Sequence, residues 1–476
     1  MDENESVVVP HEEDIRWWKQ AWRKISATTI NVEIIIFVLS YCNTVRGVVK
    51  PALSEAKMRR TYPAPPDMSK SALKKYYNSK MVLWDQNYQY INLPIACISG
   101  LVFGAYSDYR GRKLPLLIGM ASVFIDNAVY MLVWSDATDI PLQWLFLSAA
   151  VVGLLGDFML LMSCVNSYLV DEYGDKKHLG VRMIIVSTVF SLGALCGSQT
   201  VHHVADKIGN FKVLYIVQGT IIATFLFALW LLKNPIPKRN DEESLITDAP
   251  SVQVTLYEAV VAKFKYVKNA FKIFYTSREG HRRGFLYASF GANFLDQLVF
   301  GEEKDLLGKY TRLDPFNWDT DEYSKYKSIR PITQIAGMIF GLVVLKKALK
   351  IRDTSIITMT IAAMGVCCLL IGLAQSSTLI YVSLAPDALH GLLNPLTYTF
   401  ISCLVNPDEI GQTFAISTIA GKVAGLIQSA ILDNVYRATL QWYQGFVWLL
   451  MSAISMIASL VYLWVHVIAK RESIGA

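Results

Sequence analysis

Charge is scarce in this chain. Of its 476 residues only 18% are Asp, Glu, Lys or Arg, against about 25% in a soluble domain. The common catalytic motifs are also missing. There is no G-x-x-x-x-G-K-[ST] loop, no H-E-x-x-H and no G-x-S-x-G. These absences argue against an ATP-driven pump, a zinc peptidase and an α/β-hydrolase. No enzyme activity and no cofactor are expected. Cysteines are few: Cys42, Cys97, Cys164, Cys196, Cys367, Cys368 and Cys403. All fall inside apolar runs, none in a predicted outer loop, so no disulfide is expected. The adjacent Cys367 and Cys368 lack metal-ligand spacing. The first fourteen residues are acidic and polar, so no cleavable signal peptide is expected to open the chain. The single N-glycosylation triplet, Asn4-Glu5-Ser6, is expected on the cytoplasmic side and unused.

What is present is apolar. Hydrophobic residues make up 53% and mean hydropathy is +0.34. Repeated apolar runs of about 20 residues define an all-α polytopic membrane protein. The net charge of +6 is no nucleic-acid signal, because the basic residues sit mostly in short loops. The runs predict twelve helices at about 31–49, 87–107, 114–135, 142–170, 180–204, 211–233, 284–302, 327–347, 353–374, 378–404, 411–434 and 443–469. They divide into an N-terminal six-helix bundle (31–233) and a C-terminal one (284–469). A tail, 1–30, carries the interfacial segment Ile15 to Lys24, rich in Trp and basic residues. The linker, 234–283, contains an amphipathic stretch from Leu256 to Tyr275, read either as a helix on the inner membrane surface or as one packed on cytoplasmic loops. A short tail, 470–476, ends the chain.

Between the second and third helices lies Gly104-Ala105-Tyr106-Ser107-Asp108-Tyr109-Arg110-Gly111-Arg112-Lys113. It reads as a short basic loop. Two glycines permit a tight turn; Asp108 is placed to cap the next helix; Arg110, Arg112 and Lys113 put the loop in the cytoplasm. Lys346, Lys347, Lys350 and Arg352 in the 8–9 loop and Lys470-Arg471 after helix 12 agree, which puts both termini inside. Residues 50–85 are the exception: an outer loop rich in Lys and Arg, though a long loop can translocate despite its charge. The order G-x-x-S-D-x-x-G-R-K resembles the signature loop of the major facilitator superfamily. That resemblance implies twelve helices in two repeats and a gating role for Gly104, Asp108, Gly111, Arg112 and Lys113. A second copy is expected in helix 8, where Gly337, Gly341, Lys346 and Lys347 form a degenerate version.

Ionisable groups at membrane depth are costly and are functional candidates by default. Asp157 sits in the middle of helix 4. Lys422 lies about eleven residues into helix 11, too deep to snorkel easily, so it either pairs with a carboxylate or binds an anionic solute. Asp387 and His390, at i and i+3 in helix 10, share a face and form a candidate proton-titrating pair; a histidine merely satisfied by its neighbour is the plain alternative. Glu33, Arg46, Asp126-Asn127 and Asp296-Gln297 are further polar points of structural or gating character. Asp171 and Arg182, flanking the 4–5 loop, are a candidate inner-gate pair.

Several stretches resemble the proton-coupled folate transporter family more closely: Leu154-Leu155-Gly156-Asp157-Phe158 with Arg182-Met183, Leu313-Asp314-Pro315-Phe316-Asn317-Trp318-Asp319, Asn406 to Ala415, and Asn434 to Leu440 with Gly445-Phe446. Asp157 carries over directly. The chain departs from the folate-transporting branch at Ser187, Tyr398 and Phe300, which stand where that branch has an acid, an arginine and a histidine. Asn317 replaces a family cysteine, and residues 50–85 hold no cysteine to pair with it. Asp387, His390 and Lys422 are particular to this chain.

The reading that follows is a secondary transporter of a small organic, anionic solute, moved with protons by alternating access through the bilayer. Lys422 would bind the anion, and Asp157, Asp387 and His390 would serve the proton. The alternative is a membrane receptor or interaction protein that keeps the fold without transport. The membrane is plasma or endolysosomal. Asp241 to Ile246 fits an acidic dileucine sorting pattern, a match short enough to arise by chance.

Overall fold

The computed structural model describes residues 31–138, 140–158, 176–232, 271–405 and 410–474, with isolated positions 161, 164, 165, 168 and 261. The N-terminal tail, most of the linker and the dileucine-like stretch lie outside them. The described residues form helices and connecting turns without a strand.

Long helical rods follow one another in the predicted order. In the N-terminal half they are α1 (Asn31–Thr61), α2 (Lys70–Arg110), α3 (Lys113–Trp134), α4 (Trp144–Leu154), α5 (Lys176–Ile208) and α6 (Asn210–Leu231). A turn of helix, Lys272–Tyr275, precedes the second half. There α7 comprises Arg282–Leu295, a π-turn Asp296–Phe300 and Gly301–Tyr310. Next come α8 (Thr320–Phe340, continued as a π-helix Gly341–Ala348) and α9 (Asp353–Gly372). The rod α10 is assembled from Ser377–Val382, Leu384–Asp387, a 3₁₀ turn His390–Leu392 and Leu393–Leu404. Then α11 runs Ile410–Ile427, with a π-turn Gln428–Leu432 and Asp433–Thr439, and α12 is Phe446–Arg471.

Local chemistry accounts for the ends. The Ser69 hydroxyl accepts from the Ala72 N–H at 3.2 Å to start α2, and the Asp319 carboxylate accepts from the Glu322 N–H at 2.8 Å to start α8; both are side-chain N-caps. Six rods, α1, α3, α6, α8, α9 and α12, are long and apolar enough to cross a membrane on composition alone. The polar residues and helix breaks described below are spread over both groups of rods.

Two expectations about the loops change. The 50–85 stretch is mostly helix, because α1 and α2 run on into it and leave only 62–69 as a connection. Its buried residues recur at i, i+4: Leu53 with Lys57, Ser54 with Met58, Tyr77 with Met81, and Asn78 with Val82. That is an amphipathic helical hairpin. The Gly104–Lys113 loop also shrinks. Residues through Arg110 belong to α2, and Gly111, at φ 98°, closes it by donating its N–H to the Ser107 carbonyl at 3.2 Å. Asp108 therefore lies inside α2, and Arg112, not Asp108, holds the N-cap position of α3.

Within the halves, α1 packs along α5 and α9 along α12; between them, α5 meets α8 and α2 meets α11. The α1–α5 contact is backbone-close. A Cβ on Gly197 would lie 2.7 Å from the Tyr41 carbonyl oxygen, and Gly193 one turn earlier abuts the Phe37 carbonyl. This is the small-xxx-small packing that membrane helices use.

Candidate functional site

The N-terminal half supplies a polar pocket at a helix break. Helix 4 is not continuous through 142–170 as its hydropathy predicts: α4 ends at Leu154, and Gly156 and Asp157 take φ of 90° and 58°. Glycine adopts such angles freely, and Asp is among the few other residues that tolerate them. Here the Asp157 carboxylate accepts from the Phe158 N–H at 2.6 Å. It borders a cavity of about 20 Å³ shared with Asn43, Arg46, Ser122, Asp126 and Asn127, room for about one water molecule. Arg46 and Asp126 form an ion pair inside this pocket. Asp126 also accepts from the Tyr88 hydroxyl at 2.9 Å and the Ser148 hydroxyl at 3.4 Å, while Arg46 lies over the Tyr130 ring at 5.9 Å. Arg46 and Asp126, read from the sequence as structural or gating, thus neutralise each other.

Two buried ion pairs of the C-terminal half, both made by α10, correct one expectation. Asp387 and His390 do not pair with each other. The Asp387 carboxylate accepts from Arg330 Nε at 2.9 Å and Nη2 at 3.2 Å, and from Gln334 Nε2 at 3.0 Å. His390 Nε2 faces Asp296 Oδ1 at 2.5 Å, and Asn394 Nδ2 donates to Asp296 Oδ2 at 2.9 Å. The separation has a backbone cause. Pro386 and Gly391 flank a stretch in which α10 abandons regular α geometry, so i and i+3 no longer point the same way. Asp387 turns to α8 and His390 to the π-turn of α7.

Phe300 links the two pairs. Its ring stacks on His390 with centroids 3.7 Å apart and planes 3° apart, and Arg330 lies 6.0 Å from its centre. Phe300 is the position at which the folate-branch resemblance places a histidine; here the imidazole comes from α10 and lies face-on to it. Arg330 was missed in the sequence because helix 8 was expected to begin at 327, which put Arg330 at its end. With α8 starting at Thr320, the same arginine is mid-helix and 5% exposed.

Lys422 stands where the halves meet. It is 9% exposed, and its Nζ donates to the Ala96 carbonyl of α2 at 3.0 Å. Gly100 makes room for it: a Cβ there would lie 2.8 Å from Nζ. Asp157 is within electrostatic reach of the ammonium, but no ion pair to Lys422 occurs among the described residues. A buried ammonium held by one neutral carbonyl is under-compensated.

The gating candidates divide. The guanidinium of Arg112 donates to the Ser107 hydroxyl at 2.8 Å, and Lys113 Nζ donates to the Leu229 carbonyl at the end of α6 at 2.7 Å, a cation on a helix C-terminus. Gly104, Asp108 and Arg182 lie in described helices, but their side-chain surroundings do not, and Asp171 lies outside the described residues.

At the opposite end, the outer end in the orientation that the basic loops imply, the halves are tied by charge. Lys309 of α7 is paired with Asp85 at 2.6 Å, which also takes Lys50 at 2.9 Å. Arg312 holds Glu55 at 2.7 Å. Lys74 lies 3.7 Å from Asp314 and hydrogen-bonds Asn317; His202 pairs with Asp321. Hydrogen bonds from the Ser71 and Asn317 side chains, with Lys74 nearby, hold the Asp314 carboxyl below its usual value. These four cross-half ion pairs are the ones found among the described residues. The basic residues of the 50–85 stretch are thus largely engaged in structure, Arg60 capping α3 through the Trp134 carbonyl and Lys57 bonding the Ile140 carbonyl.

Comparison with known proteins gives the context. The profile of the Major Facilitator Superfamily matches residues 92–429. A Drosophila melanogaster protein named as a probable peptidoglycan muropeptide transporter, SLC46, is 24% identical over 74% of this chain and 66% of its own length. A mouse protein, the lysosomal proton-coupled steroid conjugate and bile acid symporter SLC46A3, is 21% identical over 84% of each. Among solved structures, the human organic anion transporter MFSD10 (TETRAN) superposes with a TM-score of 0.61 at 15% identity, over 91% of this chain and 98% of that one.

Proposed function

Because the chain belongs to the Major Facilitator Superfamily, a family of membrane transporters and not of enzymes, we propose that it is a secondary transporter that carries a small organic anion across its membrane together with protons. The observation that supports the anionic class is Lys422. Its ammonium belongs to α11 yet is held by the Ala96 carbonyl of α2, across the junction of the halves. A solute carboxylate, sulfate or phosphate would displace that carbonyl, because a charge-assisted hydrogen bond is roughly twice as strong as a neutral one. Binding would then loosen an α2–α11 tie, which is how occupancy could be converted into movement of one half against the other. The relatives named for muropeptides and for steroid conjugates and bile acids support an organic, amphipathic solute.

In this reading Asp157 contributes negative charge near Lys422, and protonating it would favour entry of an anion. The Arg330–Asp387 pair stays neutral throughout and holds α8 to α10, so Asp387 leaves the proton pathway. The name of the mouse relative supports proton coupling. Plasma and endolysosomal membranes both remain sites at which such a symporter would work.

The test is uptake into proteoliposomes of a panel comprising taurocholate, a steroid sulfate and a muropeptide, with outside pH varied. Lys422→Ala should reduce uptake about thirtyfold or more, the cost of losing one buried charge contact, with Lys422→Arg partly active. Unchanged uptake in Lys422→Ala would remove the anion-site assignment.

A further inference from the structure

We propose that His390 and Asp296 form the proton-binding pair that ties protonation to closure of the outer end, because the pair bridges two helix discontinuities, one of which leads directly into the outer ion-pair network. The proposal deepens the transport reading and rests on it for its purpose, but its test needs no solute.

Three features carry it. First, the pair has the arrangement of an imidazole base on a fixed acceptor. Asp296 accepts from His390, from Asn394 at 2.9 Å and from Gln297 at 3.5 Å. With those donors around it, Asp296 is the acceptor of the pair and fixes the His390 Nε2–H tautomer. A proton then adds at Nδ1, giving an imidazolium against a carboxylate, and leaves from the same atom. Stacking on Phe300 holds the ring in plane.

Second, the charges around the pair are engaged by partners of their own. On α10 itself, Asp387 one turn earlier is neutralised by Arg330 of α8. On α7, Asp296 is the partner and Gln297 is neutral; α11, which packs on the same π-turn, carries Lys422, whose Nζ donates to the Ala96 carbonyl of α2. On α8, Arg330 and Gln334 are engaged by Asp387. On α9, which packs on the same turn of α10, the ionisable groups are Asp353, paired with Lys346 at 2.9 Å, and the Cys367 and Cys368 thiols. Among the described residues, His390 and Asp296 are therefore the ion pair of this cluster that contains a histidine.

Third, the position is mechanical. Asp296 begins the π-turn Asp296–Phe300, and the next segment, Gly301–Tyr310, bears Lys309, which reaches Asp85 in the N-terminal half. His390 begins the 3₁₀ turn that interrupts α10. Such turns are the points in a helix that absorb bending. An imidazolium–carboxylate contact holds α7 and α10 together more strongly than a neutral imidazole does. The protonated form therefore favours the ion-paired outer end seen here, and proton release favours its opening.

The full-length protein in lipid nanodiscs, with Cys196 and Cys403 replaced by Ser, would carry spin labels at Ala137 and Gln441, exposed outer positions in opposite halves. Electron-spin distance distributions at pH 5.5 and 7.5 then report closure. The sealed population should gain about tenfold over the open one at the lower pH, the difference between a charge-assisted and a neutral hydrogen bond. His390→Gln and Asp296→Asn should each abolish the pH dependence, while His202→Gln, in the histidine pair at the outer end, should keep it. Either of the first two variants suffices if the other folds poorly. A distribution in the parent protein that ignores pH, or one that still responds in His390→Gln, would overturn the proposal without touching the transport reading. Loss of the response in His202→Gln alone would move the sensor to the outer end and overturn it as well.

Discussion

At the scale of single residues, the fate of each membrane-depth charge depends on the partner that folding gives it. Asp387 is 1% exposed and Arg330 5%, and each removes the other's cost. Breaking such a pair from one side leaves an uncompensated buried charge, worth about 3–5 kcal/mol. Arg330→Gln should therefore lower the melting temperature of the detergent-purified protein sharply, and adding Asp387→Asn should restore most of the loss. Equal melting temperatures for parent and single variant would show that the pair is not structural. Spacing along the chain made Asp157, Asp387, His390 and Lys422 visible, because a charge in an apolar run is legible in one dimension. Partners were not, since Arg330 and Asp296 reach theirs across helices and across 57 and 94 positions of sequence.

At the scale of elements, hydropathy located the rods but not where they bend or how far they project. The outer extensions of α1 and α2 escaped because polar helix continues past the membrane without an apolar signal. The breaks in α4, α7 and α10 escaped because Gly156-Asp157, Asp296-Gln297 and Pro386 to Gly391 sit in sequence that is otherwise helical. Gly337 and Gly341, read as a degraded motif copy, instead abut the backbone of Ala388 and the side chain of Leu392, so α8 packs closely against the broken part of α10. Gly337→Val should destabilise the protein by about 1–3 kcal/mol through overpacking, measurable as a lower melting temperature, whereas Gly219→Ala on α6, where a Cβ meets nothing within 4 Å, should be neutral or slightly stabilising. The contact between Lys74 and Asp314 carries a pH prediction with a definite sign. The Asp314 carboxyl lies below its ordinary value of 3.8, so its contribution is present above that pH and lost as pH falls through the lowered value. Acidification from 7.5 to 5 should leave this contact intact, as a Lys74→Met variant with an unchanged pH response in the same distance measurement would show.

At the scale of the whole molecule, two helical bundles meet through α2–α11 and α5–α8, with their charged ties gathered at the outer end. The departure of this chain from the folate-transporter pattern it resembles is informative here. Where that pattern is expected to hold a cysteine, Asn317 accepts a hydrogen bond from Lys74, so a separable polar contact joins the hairpin to the 7–8 connection. Alternating access requires that contact to open in every cycle. The decisive measurement is uptake of the taurocholate, steroid sulfate and muropeptide panel by proteoliposomes bearing Lys74→Cys with Asn317→Cys, in a background lacking the exposed Cys196 and Cys403. Oxidation should stop uptake and reduction should restore it, with each single-cysteine variant indifferent to both. Uptake that continues at the same rate through a demonstrated cross-link would contradict transport by opening and closing of this end.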